Sequence, residues 1–418
     1  MFPVSPCEFI PVFMETIRSL QRGLSYPAIG AGRHQLTCHA IRGTIREHVF
    51  RIRRHRRKQN MLRIIHAIAL ILVPIVTAAA QEQNIEIYRV CGSEIPGIYK
   101  HPASITQLDN GDLFLAYYGG SDEYGDDTAV YGMRQKKGEP WWSPPAVIAD
   151  TPDRGEGNPV VWQGPGGVVW LFYVNRYGET WSNARVKGKI STDGAQTWSD
   201  SFMLTFEEGT MVRGRPELLK NGDFLLPMYY ETGEDRERTA PTTSSFFMRY
   251  NHETKTWTET NRIKSERGNL QPQVEQLDDQ YLVCYIRRGG GFEPDETGYI
   301  LRSESHDGGL TWSDAKDTEF PNPNAAVDFL RLKNGHLLLT YNDSMNQRSP
   351  LTVAISTDND KTYPYRRDIA GGDNTFAYPY AIQTDDEKIH IIYTTNNRTT
   401  IMHAVFDEKA ILDHEWQS

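Results

Sequence analysis

The residues able to do chemistry in this chain are arginines, one tyrosine and a few amides set at the openings of similar stretches. Tyr378 stands before Pro379, Gln271 before Pro272, Asn158 before Pro159 and His101 before Pro102. Arg215 stands before Pro216, and Asn324 occupies the same place in a copy lacking proline. Arg287 and Arg288 end one apolar strand-like run, and Arg348 precedes another. A guanidinium presents a planar fork of donors that fits a carboxylate, so several arginines brought together make a site for one anionic ligand. The same arginines, taken singly, could equally tie neighbouring backbone segments together through their carbonyls. These residues lie some 55 positions apart, and a circular fold would gather them at one mouth, whereas a β-sandwich with coincidental turn spacing is the alternative.

The elements that could do so are visible in the turns. Ser305-His306-Asp307-Gly308-Gly309-Leu310-Thr311-Trp312 carries a carboxylate able to accept backbone N–H groups, and glycines able to take positive φ. A second copy runs Ser191-Thr192-Asp193-Gly194-Ala195-Gln196-Thr197-Trp198, and a weaker third spans Ser356 to Tyr363. The closing aromatics Trp142, Trp198, Trp257, Trp312 and Tyr363 are separated by steps of 56, 59, 55 and 51 residues. A second motif keeps the same beat, opening at 101, 158, 215, 271, about 324 and 378. Each copy continues through an apolar run, a turn and a strand ending in tyrosine or a near equivalent. Six such units without long helical periodicity predict an all-β, six-bladed β-propeller. In that fold the innermost strand of each blade lines the axis. Lys100, His101, Asn158, Arg213, Arg215, Gln271, Asn324 and Tyr378 should then meet around one pit, joined by Arg287, Arg348 and the acidic loop Asp122–Asp127.

The chain has 418 residues, but its first 60 look foreign to the repeat, with 11 Lys and Arg against 3 Asp and Glu. Met61-Leu62-Arg63, the apolar run from Ile64 to Val76 and Ala78-Ala79-Ala80 have the parts of a secretory signal. The expected organisation is an upstream extension over 1–60, a signal peptide over 61–80 and the propeller over 81–418. The expected location is therefore secreted or periplasmic, without stable membrane association after cleavage. Residues 81–418 carry 33 Lys and Arg against 51 Asp and Glu, a net of −18. Such an acidic domain is not expected to bind nucleic acid or an anionic membrane, and cations gathered within it would focus on one ligand. Cys284, in an apolar run, is expected as a buried small hydrophobe.

With these residues in view, the chain over roughly 95–410 resembles the sialidase superfamily of six-bladed propellers with Asp-boxes. Ala377-Tyr378-Pro379-Tyr380-Ala381-Ile382 resembles the segment that carries the family's tyrosine nucleophile. Arg348-Ser349-Pro350-Leu351 and Cys284-Tyr285-Ile286-Arg287 fall where two substrate-binding arginines are expected. The resemblance implies a hydrolase removing a terminal acidic sugar from glycans, with Tyr378 as nucleophile, Asp122 as acid/base, Asp126 and Asp127 as alternates, and no cofactor. Arg287 and Arg348, with Arg215, Gln271, Asn158 and Asn324, are the expected substrate contacts. Two departures qualify it. The slot of the family's first arginine holds Lys100-His101, and Gln271 stands where a glutamate assists the tyrosine. A phenol with an ordinary pKa near ~10 is a poor nucleophile without a base or a strong positive field, and His101 is the candidate substitute base. A rhamnosidase- or lyase-type reaction on uronic-acid polysaccharide, and a non-catalytic glycan-binding propeller, are the alternatives.

Other patterns point elsewhere or nowhere. No His-Glu-x-x-His or zinc-spaced cysteine pair occurs. The acidic loop reads as a solvated loop sooner than a calcium site. Gly289-Gly290-Gly291 lacks the residues of a phosphate cradle. Trp141, Trp162, Trp181 and Tyr124 are candidates for stacking on sugar rings, and Asn397-Arg398-Thr399 is a glycosylation sequon.

Overall fold

The computed structural model describes residues 84–94, 96–236 and 238–415; the predicted signal and the extension before it lie outside the described residues. Six antiparallel sheets follow one another along the chain as the blades of a propeller. Blade 1 holds β2 (Tyr99–Gln107), β3 (Leu113–Gly120), β4 (Ala129–Gln135) and β5 (Ala146–Ala149); blade 2 holds β6 (Glu156–Gln163), β7 (Val169–Arg176), β8 (Ala184–Ser191) and β9 (Phe202–Met203). In blade 3 the inner strand is split into β10 (Thr210–Val212) and β11 (Glu217–Leu218), both pairing with β12 (Phe224–Tyr230), which is followed by β13 (Ser244–Asn251) and β14 (Thr256–Glu259). Blade 4 is β15 (Asn269–Gln276), β16 (Leu282–Arg288), β17 (Tyr299–Ser305) and β18 (Lys316–Pro321). Blade 5 is β19 (Asp328–Arg331), β20 (Leu337–Asn342), β21 (Leu351–Ser356) and β22 (Tyr365–Ala370). Blade 6 is β23 (Ala377–Gln383), β24 (Ile389–Thr395) and β25 (Thr400–Phe406), and β1 (Glu86–Cys91) returns from the start of the domain to pair with β25. The first and last strands of the described residues thus share one sheet, which closes the ring.

The Asp-boxes show why the turns hold. Asp307 accepts the N–H groups of Leu310 (3.0 Å) and Thr311 (2.9 Å) and the hydroxyls of Ser305 and Thr311. Gly308 and Gly309 take φ of 74° and 86°, a region that costs glycine nothing. The closing aromatic then lies on the preceding blade. Trp312 packs on Phe247 of blade 3 with ring centroids 4.4 Å apart, and Tyr363 packs on Phe320 of blade 4 at 5.2 Å. Trp198 meets Phe114 of blade 1 in the same way. Apolar clusters accordingly run between adjacent blades all the way around, as where Val283 and Tyr285 of blade 4 meet Phe329 and Leu339 of blade 5. Cys91 and Cys284 are free and buried in two of these clusters.

Arg213 and Arg215 occupy the gap between β10 and β11. Arg213 donates to the carbonyls of Tyr378 and Pro379, both at 3.0 Å. Arg215 donates to the carbonyls of Ala381 and Phe329 and to Glu275, each at 2.7 Å, reaching blades 6, 5 and 4. Gly214 between them is required, because a Cβ there would lie 2.4 Å from the Pro272 carbonyl oxygen. Tying blades through carbonyls is therefore what these two arginines do.

Candidate functional site

One backbone device aims the inner-strand residues. Asn158, Gln271, Asn324 and Tyr378 have φ of 43°, 58°, 56° and 54°. These are left-handed values that a side chain adopts only when its surroundings enforce them. The pairing register of β6, β15 and β23 shifts at these positions, between Gly157 and Val160, Leu270 and Gln273, and Ala377 and Tyr380. A bulge of this kind re-aims a side chain, and β2 has the same shift between Lys100 and Ala103. His101, Asn158, Gln271 and Tyr378 all line one pit at the axis, open to solvent at its mouth.

At its floor, the Tyr378 phenol oxygen receives two donors. Arg287 Nη1 lies 2.9 Å from it and Gln271 Nε2 3.3 Å. The same Nη1 also donates to Gln271 Oε1 at 3.2 Å, which fixes the amide so that its NH₂ group faces the phenol. Asn324 Oδ1 accepts from Arg287 Nε at 2.7 Å, and its carbonyl accepts from Arg348 Nη2 at 3.1 Å. Arg287 and Arg348 stand 5.9 and 5.7 Å from the Tyr378 ring. Burial raises the phenol's pKa, but the charges of Arg287, Arg348 and Arg398 outweigh burial and hold it below that of a free phenol. Donors directed at the oxygen favour its ionised form as well.

His101 packs edge-on against the Tyr378 ring, centroids 4.0 Å apart, with Nδ1 2.9 Å from the Thr394 hydroxyl. Its Nε2 is buried without a partner. Burial, then the charges of Arg398, Arg348, Arg213 and Arg287, push its pKa well below the ordinary value, so the ring is neutral at pH 7.

Several expected residues stand elsewhere. Asp122 is exposed and its carboxylate caps the Tyr124 N–H at 2.7 Å; its neighbour Glu123 is the one that faces the pit. The alternates are also engaged, Asp126 with Arg176 at 3.1 Å and Asp127 with the Ser121 N–H and hydroxyl. Arg215 lies below the pit in its ties to blades 4, 5 and 6, so it meets no ligand there. Asn324 sits behind Arg287 as its support. Asn158 lines the pit while donating to the Tyr229 hydroxyl at 3.1 Å. Lys100 is buried with its ammonium on the Gly97 carbonyl. Of the aromatics, Trp181 and Tyr124 lie at the pit with rings 5.5 Å apart, Trp162 is in the core between blades 2 and 3, and Trp141 is exposed away from the pit.

Arg398 and Glu231 are among the pit residues that follow second strands, as are Arg236 and Arg238 after β12. Arg398, in the β24–β25 turn with φ of 62°, donates to Tyr99 Oη at 2.8 Å and pairs with Glu123. With Arg287 and Arg348 it is one of the three cations that lower the Tyr378 pKa. Glu231 follows β12 and also lines the pit. Their signal in the sequence was positional: in a blade whose inner strand begins at the mouth, the second strand ends there.

A six-bladed propeller with a cation-lined axial pit is the class this geometry defines. Residues 111–391 match the BNR repeat-like domain, two thirds of the chain, and the protein belongs to that family. No curated protein matches the sequence. Among solved structures, the Hadza microbial sialidase Hz136 superposes with a TM-score of 0.65 at 18% identity, covering 78% of this chain and 69% of that one. The NanB sialidase from Streptococcus pneumoniae gives 0.63 at 11% identity, covering 79% and 71%. A protein of unknown function from Dyadobacter fermentans gives 0.63 at 17%, covering 77% and 99%. At these identities the likeness is one of fold: the sialidase-like propeller.

Proposed function

We propose that this protein is an exported, sialidase-like glycosidase that removes a terminal, carboxylate-bearing sugar from glycans. The observation that carries the reading is the Tyr378 phenol oxygen, facing two N–H donors at 2.9 and 3.3 Å in the field of three arginines. Arg287 and Arg348 bind the sugar carboxylate, with Arg398 adding charge from blade 6. That placement sets the anomeric carbon against Tyr378, which attacks as a phenolate. Gln271 cannot take the phenol proton, and here it need not, because it donates to the ionised oxygen while the arginines stabilise the charge. Trp181 and Tyr124 offer faces for the sugar beyond the scissile bond. The test is incubation of the purified protein with a panel of sialosides and uronate polysaccharides. Free sialic acid, lost in Tyr378→Phe, supports the reading; full activity in that variant defeats it.

A second reading draws on the neutral His101 ring 4.0 Å from Tyr378. A neutral imidazole can take the C5 proton of a uronate while the tyrosine protonates the departing oxygen, giving elimination. An unsaturated uronate absorbing in the near ultraviolet would mark that outcome. Binding without any product would instead make the propeller a glycan-binding module.

A further inference from the structure

The pit holds a carboxyl group that no sequence pattern assigned. Glu231 follows β12, two residues after Tyr229, so the two occupy the same face of an extended chain. Tyr229 accepts from Asn158 at 3.1 Å, and both residues line the pit; Glu231 continues that row toward the mouth. Glu123, the other carboxylate of the pit, is committed to its ion pair with Arg398. Glu231 is half-buried, and no described residue hydrogen-bonds or ion-pairs with its side chain. It is thus a partly desolvated carboxyl group with no hydrogen-bond donor on it among the described residues and with the ligand space before it.

The geometry points to Glu231 as the catalytic acid and base of the pit, an assignment that rests on the glycosidase reading above. In the first step Tyr378 Oη bonds to the anomeric carbon and the glycosidic C–O bond breaks. The Glu231 proton passes to the departing oxygen, which leaves as an alcohol. In the second step a water attacks the anomeric carbon and gives its proton to the Glu231 carboxylate. The bond to Oη breaks, and phenolate and carboxylic acid are both restored. The charged and titratable groups around Glu231 suit this cycle. Burial raises its pKa to about 7, with Arg287 of β16 opposing and Glu123 of the β3–β4 loop adding to the rise. Tyr229 beside it stays neutral, its own pKa raised by burial and by Glu231. Two carboxyl groups in one pit, one ion-paired and one desolvated, are thereby separated into a fixed anion and a proton carrier.

The test uses Glu231→Gln in the full chain with two sialosides: 4-methylumbelliferyl α-sialoside, whose leaving group needs little protonation, and 3′-sialyllactose, whose leaving group needs it. General acid help is worth on the order of 10²–10⁴-fold. A loss of that size on the lactoside, with a loss below about tenfold on the aryl glycoside, supports the assignment. Equal losses on both substrates, or the leaving-group dependence appearing in Glu123→Gln instead, overturns it. Should the wild-type protein release sialic acid from neither, the glycosidase reading fails by itself. Glu231 is then judged by carbon-13 NMR of glutamate-labelled protein. A carboxyl titrating near neutrality and missing from Glu231→Gln supports a proton carrier, and its titration with the ordinary carboxylates near ~4.3 overturns it.

Discussion

Replacing Arg348 with methionine should raise the pKa of the Tyr378 phenol, because the phenol's acidity is set by charge and both groups hydrogen-bonded to its oxygen are donors. The Arg348 guanidinium lies 5.7 Å from the Tyr378 ring centre. At that distance, with an effective dielectric of ~20, one charge contributes roughly 3 kcal/mol. Methionine keeps the apolar stem of Arg348, whose guanidinium stands 5.4 Å over Phe292, while deleting the charge. Arg287 remains hydrogen-bonded to the phenol and Arg398 remains across the pit, so the midpoint should rise while part of the depression persists. The assay is a pH titration by carbon-13 NMR of tyrosine labelled at Cζ, with Tyr378→Phe identifying the resonance. A second readout follows from the same charges. Burial, Arg287 and Arg398 all push the pKa of Arg348 below its ordinary value, so three like charges are held together at a cost in stability. The variant should melt at a higher temperature than the wild type while binding a carboxylate ligand more weakly. An unchanged Tyr378 midpoint would refute the idea that the arginine field replaces the missing glutamate.

Tyr378→Phe should fold normally and lose turnover by several orders of magnitude, checked by circular dichroism and product release; the hydroxyl's two hydrogen bonds serve chemistry more than packing. Arg215→Met should destabilise the propeller by roughly 3–5 kcal/mol in urea, since it strands buried Glu275 and Asp328 without their counter-ion. Asp307→Ala should cost about 1–2 kcal/mol through loss of the turn's hydrogen bonds, read from the same denaturation curves. The Asp-boxes also predict the acid limit. Partial burial opposes ionisation of Asp358, but donors from Thr362, Ser356 and Lys361 hold its pKa at about 2. Its folded value lies below the unfolded value of ~3.9. The stabilisation is therefore complete above that pH and lost as pH falls toward 2, and a melting-temperature series from pH 6 to 2 should bend downward below pH ~4.

The fold was legible because its turns depend on local chemistry. A carboxylate, two residues able to take positive φ and a closing aromatic specify the same hairpin wherever they occur, as at Asp193 and Asp307. The inner-strand residues of blades 1, 2, 4 and 6 were legible for a related reason: the residue before proline sits on the bulge that turns it toward the axis. What failed was side-chain direction. Asp122 and Glu123 differ by one position in the turn after β3, where Asp122 is taken up by the Tyr124 N–H and Glu123 faces the pit. Arg213 and Arg215 share the place of a strand opening but lie in a break between β10 and β11, where their donors go to carbonyls of other blades. Glu231 and Arg398 were missed because they follow second strands, where loop lengths vary and no repeated residue marks the spot.

The departures from the sialidase pattern are best understood together. A glutamate at 271 would accept the phenol proton, but its negative charge would also offset Arg287, with which position 271 shares a hydrogen bond of 3.2 Å. Glutamine at that position leaves the charge of Arg287 undiminished and adds a donor to the phenol oxygen. The first blade offers no arginine to the pit, since Lys100 is bound to the Gly97 carbonyl and His101 is neutral. Blade 6 offers Arg398 instead, anchored by Tyr99 and Glu123. The cation has moved to another element of the ring and the base has become a donor, and the two changes act in one direction: both lower the free energy of a phenolate at Tyr378. A pit built only to bind an anion would gain nothing from directing two of its donors at a tyrosine oxygen. That arrangement has a use where the oxygen itself must carry charge.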